Sequence, residues 1–535
     1  MTAIVQTLLF MLAVLAAVAV AAKRLNIAPS ILLVVAGIGV TFIPGLPKVE
    51  LAPEVVLLVI LPPLIYSAGV AMSWRDFKFN LRPIALLAFG CVVFTTCAIA
   101  AATHYFLKFD WAVGFLLGAI ISPTDVVAPL AIARQLGLPR RLVVILEGEG
   151  LANDATALVL YRFAVVAVST GTFSLERASE TFALIIVGET IYGLAIGWLS
   201  LRMRQWAREP RVEITLSLMT PYLAFWVPAH LGGSGVLATV ACGLYVSWNG
   251  PLLIPPATRL QGIFFWDLIV YLIEGLVFLV TGLQARTLIE QAHPFSIREL
   301  VMAIIWTTVI AIVARFLWVF PAAYIPRWVS PSLAKRDPSP PWQSPFFLAF
   351  TGMRGVVSLA VALAIPFTVL NGQPFPHRDL ILFVTFGVII ITLVGQGLML
   401  PSVVRWLGLS RIGKIEHKDE IKAELRARKA ALKQVEKRLA KAIRDHDLPD
   451  DAIEHLRTRN QSRVQILPIN LTEGLDHIRQ TAKVKAELID AEREFIYQLL
   501  RDGKITDEAR RRIEYELDLE EASVANRGKD GGGWM

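Results

Sequence analysis

Apolar runs of about twenty residues follow one another from the N-terminus to about residue 407, with short polar stretches between them. Each run is long enough to cross a hydrocarbon core of roughly 30 Å as a helix. The pattern predicts about thirteen spans, at residues 3–22, 28–45, 53–72, 83–104, 112–133, 142–168, 181–202, 213–230, 234–248, 263–284, 299–325, 344–369 and 380–405. After residue 408 the pattern changes. Residues 409–535 hold 26 Lys+Arg and 25 Asp+Glu, and Lys418 to Arg444 and Thr481 to Leu500 carry charges at helical spacing. The reading is an all-α polytopic membrane protein in two parts. Residues 1–408 form the transmembrane domain, and residues 409–535 a charged helical tail that ends in Gly531, Gly532 and Gly533.

Composition fits this picture. The 535 residues are 55% hydrophobic and 18% charged, with a mean hydropathy of +0.57. A soluble domain sits near roughly 25% charged. Lys23 and Arg24 follow the first apolar run instead of preceding it, which argues against a removed signal peptide. Cys91, Cys97 and Cys242 lie inside apolar runs and read as small buried hydrophobes. The net charge of +8 does not point to nucleic acid, because the positive residues outside the tail sit largely in short loops. Lys23, Arg24, Arg75, Lys78, Arg82, Arg134, Arg140, Arg141, Arg202, Arg204, Arg208, Arg211, Arg259, Arg327, Lys335 and Arg336 fall on one side. Lys48, Lys108, Arg177, Arg286, Arg298 and Arg378 fall on the other. The richer side is cytoplasmic, so the N-terminus is outside and the tail inside.

With thirteen spans, spans 1–6 and 8–13 begin in opposite directions, which is the arrangement of two inverted six-helix repeats. Each half then has a polar interruption in its fifth member. Span 5 carries Ser122-Pro123-Thr124-Asp125, and span 12 carries Thr351-Gly352-Met353-Arg354-Gly355. Interrupted segments at matching positions of two halves point to a transporter's binding site. A proline removes a backbone donor, and unwound backbone at membrane depth persists only where protein or a water-filled cavity covers it.

Span 6 adds Glu147, Glu149, Asn153 and Asp154. An intramembrane acid is costly and marks function by default. From a cytoplasmic entry near Leu142, Asp154 lies about 18 Å in, near the midplane. At about 100° per residue, Glu149 and Asn153 share a face while Glu149 and Asp154 point about 140° apart. Asp154 then looks into a cavity and Glu149 into protein. Glu147 shares the Asp154 face nearer the cytoplasm, and reads either as an inner mouth or as an interfacial charge. A buried acid facing protein needs a partner, and Arg354 is expected to pair with Glu149; Arg315 is a second buried counter-charge. Asp125 and Asp154 remain. Desolvation and a neighbouring acid both disfavour a carboxylate's charge, so such a group takes either a proton or a cation. Hard oxygen ligands suit alkali cations: these two carboxylates, the Asn153 amide, and the Ser122 and Thr124 hydroxyls. There is no Cys/His cluster for zinc or a redox metal. Glu189, Asp267 and Glu274 read as structural or interfacial.

The order Ile-Ser-Pro-Thr-Asp, Glu-x-x-x-Asn-Asp-Ala, then Gly-Met-Arg-Gly-Val-Val-Ser-Leu-Ala resembles the cation/proton antiporter-1 family of sodium/proton exchangers, in its bacterial branch with a charged tail. Leu61-Pro62-Pro63-Leu64-Ile65-Tyr66, Phe265-Trp266-Asp267 and Gly275-Leu276-Val277-Phe278 support it, and the likeness covers about residues 1–410. The resemblance implies a core domain with crossed, unwound spans 5 and 12, a homodimer, and an elevator-like or rocking movement. It implies Na+ or Li+, with K+ as an option, exchanged for H+, in sodium transport and pH homeostasis at the cell membrane. Asp154 would be the essential cation- and proton-binding residue, completed by Asp125, Thr124 and Asn153, with Glu149 and Arg354 as the structural pair. Asn153-Asp154 implies electroneutral one-for-one exchange. Gly150 and Ser67 depart from the family pattern, each removing a polar or acidic group. The alternative is a gated cation channel or a sensor without coupled proton transport, but no repeated filter is present. Span 6 has neither a Gly-x-Ser-x-Gly elbow nor a His-Glu-x-x-His pair, which argues against an enzyme, and no cofactor or nucleic-acid partner is expected.

Overall fold

The computed structural model describes residues 2–43, 51–172, 174–291, 296–369, 372–445, 471–502 and 504–528, together with 453, 454 and 458. Gly531 to Gly533 and Lys48 lie outside the described residues. The chain divides into two compact units, Met1–Gly413 and Lys414–Met535. Each of the thirteen apolar runs forms helix over its described residues, with breaks in the fifth and twelfth. They are α1 (Thr2–Leu25), α2 (Pro29–Thr41), α3 (Pro53–Ala71), α4 (Leu81–Leu107), α5a (Trp111–Ile121) with α5b (Val127–Gln135), α6 (Arg140–Thr170), α7 (Leu175–Ala207), α8 (Pro210–His230), α9 (Val236–Leu253), α10 (Pro256–Leu283), α11 (Ile297–Val329), α12a (Gln343–Phe350) with α12b (Val356–Leu363), and α13 (Arg378–Leu407). Among the described residues nine helices are each long and apolar enough to cross a membrane; α2 and α5a are shorter apolar helices. The only β feature described is an isolated bridge between Thr368 and Pro374.

Spans 5 and 12 are the two that break, and local chemistry explains both. Pro123 has no N–H to continue the α5a ladder. The segment from Thr351 to Gly355 leaves helical geometry, and Gly355 is extended (φ −129°, ψ −162°). In α3 the widened turn over Val56–Ile60 precedes Pro62 and Pro63, where the missing N–H groups would interrupt a regular ladder.

Packing sorts the helices into neighbourhoods. The halves α4, α5 and α6 and their counterparts α11, α12 and α13 pack against one another: α4 on α5a and α11, α6 on α5a, α5b, α4 and α12a, and α13 on α5a, α5b, α11 and α12b. Helices α3, α7, α8 and α9 form another group, with α2 and α10 paired beside α1. One end of the first body is clasped by Asp337, in the connection after α11. Its carboxylate pairs with Arg82 at the start of α4 (2.9 Å), Arg141 at the start of α6 (2.8 Å) and Arg327 at the end of α11 (2.7 Å). Glu189 on α7 is buried, and accepts from the backbone N–H groups of Ser234, Gly235 and Leu237 at the start of α9. It acts as that helix's N-terminal anion and ties α7 to α9.

Beyond α13 come α14 (Leu409–Asp445), α15 (Leu471–Arg501) and α16 (Asp507–Gly528). Within the second unit α15 and α16 pack through Ile489, Ile513 and Leu517. Arg493 bridges them to Asp518 (2.7 Å) and Glu521 (2.8 Å).

Candidate functional site

The two helix breaks meet. Asp125 donates its backbone N–H to the Met353 carbonyl at 2.7 Å. The Ile121 carbonyl, which an unbroken helix would have bonded to that same N–H, accepts from Nε of Arg354 instead (3.0 Å). Arg354 also donates from Nη1 to the Gly352 carbonyl, and its own N–H goes to the Thr392 hydroxyl on α13 (3.1 Å). Each break thus supplies donors for the carbonyls the other has freed. Fit is tight here. A Cβ at Gly355 would stand 2.5 Å from Cβ and 2.6 Å from Cγ of Asp125. Those atoms cannot swing away as the far end of a flexible chain can. Gly355→Ala is therefore expected to cost about 1–3 kcal/mol through overpacking, and to read out as a lower unfolding midpoint of the detergent-purified protein.

The expected Glu149–Arg354 pair is absent, and Arg315 takes that place. Nη1 and Nη2 of Arg315 contact Oε1 and Oε2 of Glu149 at 2.5 and 2.9 Å, with both side chains buried. Nε and Nη2 of Arg315 add bonds to the Leu348 carbonyl at the end of α12a (3.0 and 2.9 Å). The correction has a physical cause. Arg354 is committed to the orphaned carbonyls of the breaks, while Arg315 reaches from α11 to both Glu149 of α6 and the Leu348 carbonyl of α12a. The pair is bidentate, which is the strong geometry for guanidinium and carboxylate.

From Glu149 a polar chain runs toward the acids. Thr124 donates its hydroxyl to Oε1 of Glu149 (2.9 Å). Asn153 donates from Nδ2 to the Thr124 carbonyl (2.8 Å) and hydroxyl (3.2 Å). A carbonyl only accepts, so this contact fixes which end of the amide faces Thr124. Oδ1 of Asn153 is then buried with no hydrogen-bond partner among the described residues. Asp125 accepts the Val127 N–H on Oδ1 (2.9 Å), capping the start of α5b. Asp154 is half-buried, near enough to Asp125 to feel its charge, and no described residue hydrogen-bonds its carboxylate. Glu149 is 1% exposed, so the two acids of α6 do occupy different environments.

Two of the expected site residues turn elsewhere. Ser122 keeps helical geometry (φ −66°, ψ −37°), accepts from the Thr96 hydroxyl on α4 (3.1 Å) and bonds back to the Ala119 carbonyl (3.4 Å). It is not joined to either acid. Glu147 is half-buried and paired with Arg134 of α5b at 2.7 Å. Glu274 of α10, read from sequence as structural or interfacial, is half-buried and close enough to Asp125 and Arg134 for their charges to act on it. Gly150 leaves the space that Val126 fills; a Cβ there would come within 2.9 Å of Cγ1 of Val126. Thr392 and Thr96, which hold the Arg354 backbone and the Ser122 hydroxyl, carry no sequence signal beyond being polar in apolar runs.

A family model described as "Sodium/hydrogen exchanger, transmembrane" matches residues 10–406. An uncharacterised Na+/H+ exchanger of Mycobacterium tuberculosis is 31% identical over 514 residues, covering 94% of this chain and 92% of that protein. A sodium, potassium, lithium and rubidium/H+ antiporter of Bacillus pumilus is 32% identical over 486 residues, covering 88% and 70%. Among solved structures, the sodium proton antiporter MjNhaP1 of Methanocaldococcus jannaschii superposes with a TM-score of 0.62 at 18% identity, covering 76% of this chain and 98% of that one. At that identity the likeness bears on the fold.

Proposed function

The chain belongs to the transmembrane sodium/hydrogen exchanger family, and from that premise we propose that it exchanges Na+ or Li+ for H+ at a site formed by Asp154 and Asp125. The observation that carries this reading is the meeting of two broken helices beside two half-buried carboxylates. The unpartnered Oδ1 of Asn153, the residue before Asp154, is a further oxygen ligand. A dehydrated alkali cation takes oxygen ligands of this kind, and a proton on Asp154 removes the charge that would hold it. Cation and proton therefore exclude each other at one carboxylate. Glu149 and Arg315 neutralise each other, and Asp125, which accepts the Val127 N–H, keeps one charge state through the cycle; Asp154 is then the one group that changes, and one cation replaces one proton. K+ is a further candidate substrate.

Alternating access requires the α4–α6 and α11–α13 body to move against the remaining helices. The Asp337 clasp and the Glu149–Arg315 pair hold it together. The basic loop residues support an N-terminus outside and a tail in the cytoplasm of a bacterial cell membrane, and the family resemblance supports a homodimer as the working unit. The test is proton flux in proteoliposomes with an imposed pH gradient. Na+ or Li+ should collapse the gradient, and a valinomycin-set potential should leave the rate unchanged. A channel would pass Na+ without moving protons. A rate that follows the potential would overturn one-for-one exchange.

A further inference from the structure

A cavity of about 790 Å³ lies where α7 ends, α8 begins and α9 gives way to α10. It is separate from the acids of α5 and α6. Arg202, Arg204 and Arg208 line it, together with Glu213, Trp206 and Leu253. Glu213 is 1% exposed, and both of its carboxylate oxygens are buried without a hydrogen-bond partner among the described residues. Arg204 is 7% exposed, and its Nε is buried and equally unpartnered. A buried carboxylate and a buried guanidinium that line one cavity, each with unmade bonds, are costly in an isolated chain. Glu213 sits in the first turn of α8, where the helix dipole favours an anion, but the dipole supplies no donor to its oxygens.

We infer that this cavity receives the headgroup of an aminophospholipid, a phosphoryl anion joined to a primary ammonium. The arginines provide the planar forks that phosphate oxygens accept. The buried Glu213 carboxylate takes the ammonium, which needs an acceptor and is excluded by the surrounding positive charge everywhere else in the cavity. Trp206 at its rim is 89% exposed, and neighbouring Leu252 is 90% exposed. An exposed tryptophan beside a cluster of arginines at a helix end is the signature of the membrane interface. That location favours a lipid over a free phosphoamine. The site selects by charge pattern. Phosphatidylglycerol has no cation for Glu213. Phosphatidylcholine has a quaternary ammonium that carries no N–H to donate.

Full-length protein purified in detergent should be titrated with POPE, POPC and POPG, with bound lipid counted by native mass spectrometry and thermal midpoints recorded. Wild type should hold POPE about tenfold more tightly than either of the others, the size of one charge-assisted hydrogen bond. Glu213→Gln removes an unpartnered charge and should fold; it should still bind lipid but lose the preference for POPE. Arg204→Gln should weaken all three. Equal retention of the three lipids by wild type would overturn the assignment, as would an unchanged preference in Glu213→Gln. Free phosphoethanolamine is the remaining arm. If it raises the midpoint as much as POPE does, the occupant is a soluble phosphoamine and the lipid assignment fails.

Discussion

Asp154→Asn is expected to abolish cation-driven proton movement while leaving the protein at least as stable as wild type. In proteoliposomes Na+ or Li+ should no longer collapse an imposed pH gradient. Asparagine keeps the volume and an oxygen ligand but can neither release a proton nor hold a cation by charge. The stability half of the expectation follows from the geometry. No described residue hydrogen-bonds the Asp154 carboxylate, so the substitution strands no partner. It also removes a half-buried charge, which is costly to hold out of water. Competition makes a second demand on wild type: the apparent KM for Na+ should rise as pH falls, because protons occupy the group the cation needs. A variant that still exchanges would put the essential carboxylate elsewhere, with Asp125 and Glu274 next in line. A variant that merely unfolds earlier would show that Asp154 has a structural bond not seen here.

Much of this arrangement was legible in the sequence, for reasons that can be named. The spans were visible because hydrocarbon demands long apolar helices. The breaks were visible because Pro123 and the Gly352–Gly355 stretch are polar or helix-weakening within such runs. Helical periodicity correctly separated Glu149 from Asp154. It did not identify the partner of Glu149, because periodicity fixes an azimuth within one helix and says nothing of which neighbour crosses there at that depth. Arg354 lay in the mirror-related break and Arg315 in an ordinary span. The deciding fact was the demand of the Ile121 carbonyl, which reaches Arg354 only once the two breaks meet, added to that of the Gly352 carbonyl in the same break as Arg354. Ser122 was misplaced for a related reason. The sequence shows that the helix breaks near Pro123, but Ser122 stays helical, and that one residue turns its hydroxyl to Thr96. Glu213 offered no signal at all, since its isolation is a property of the packing around it.

The Glu149–Arg315 assignment carries the opposite signature to Asp154. Glu149→Gln should lower stability by about 3–5 kcal/mol, the cost of leaving one member of a buried ion pair without its counter-charge. Here the stranded group is Arg315, which also lies close enough to Arg354 for the two cations to repel once the carboxylate is gone. Arg315→Gln should cost a similar amount, since it strands Glu149 and forfeits two bonds to the Leu348 carbonyl. Arg354→Gln should also destabilise, but through lost bonds to the Ile121 and Gly352 carbonyls. The three single variants are therefore not diagnostic, and the double-mutant cycle is. Glu149→Gln combined with Arg315→Gln should show a coupling of about 1–3 kcal/mol, because the second substitution removes a charge the first had already stranded. The cycle with Arg354→Gln should show a clearly smaller coupling. Chemical denaturation of detergent-purified protein supplies both numbers. If the Arg354 cycle gives the larger coupling, Arg354 is the partner and the breaks are held by something else.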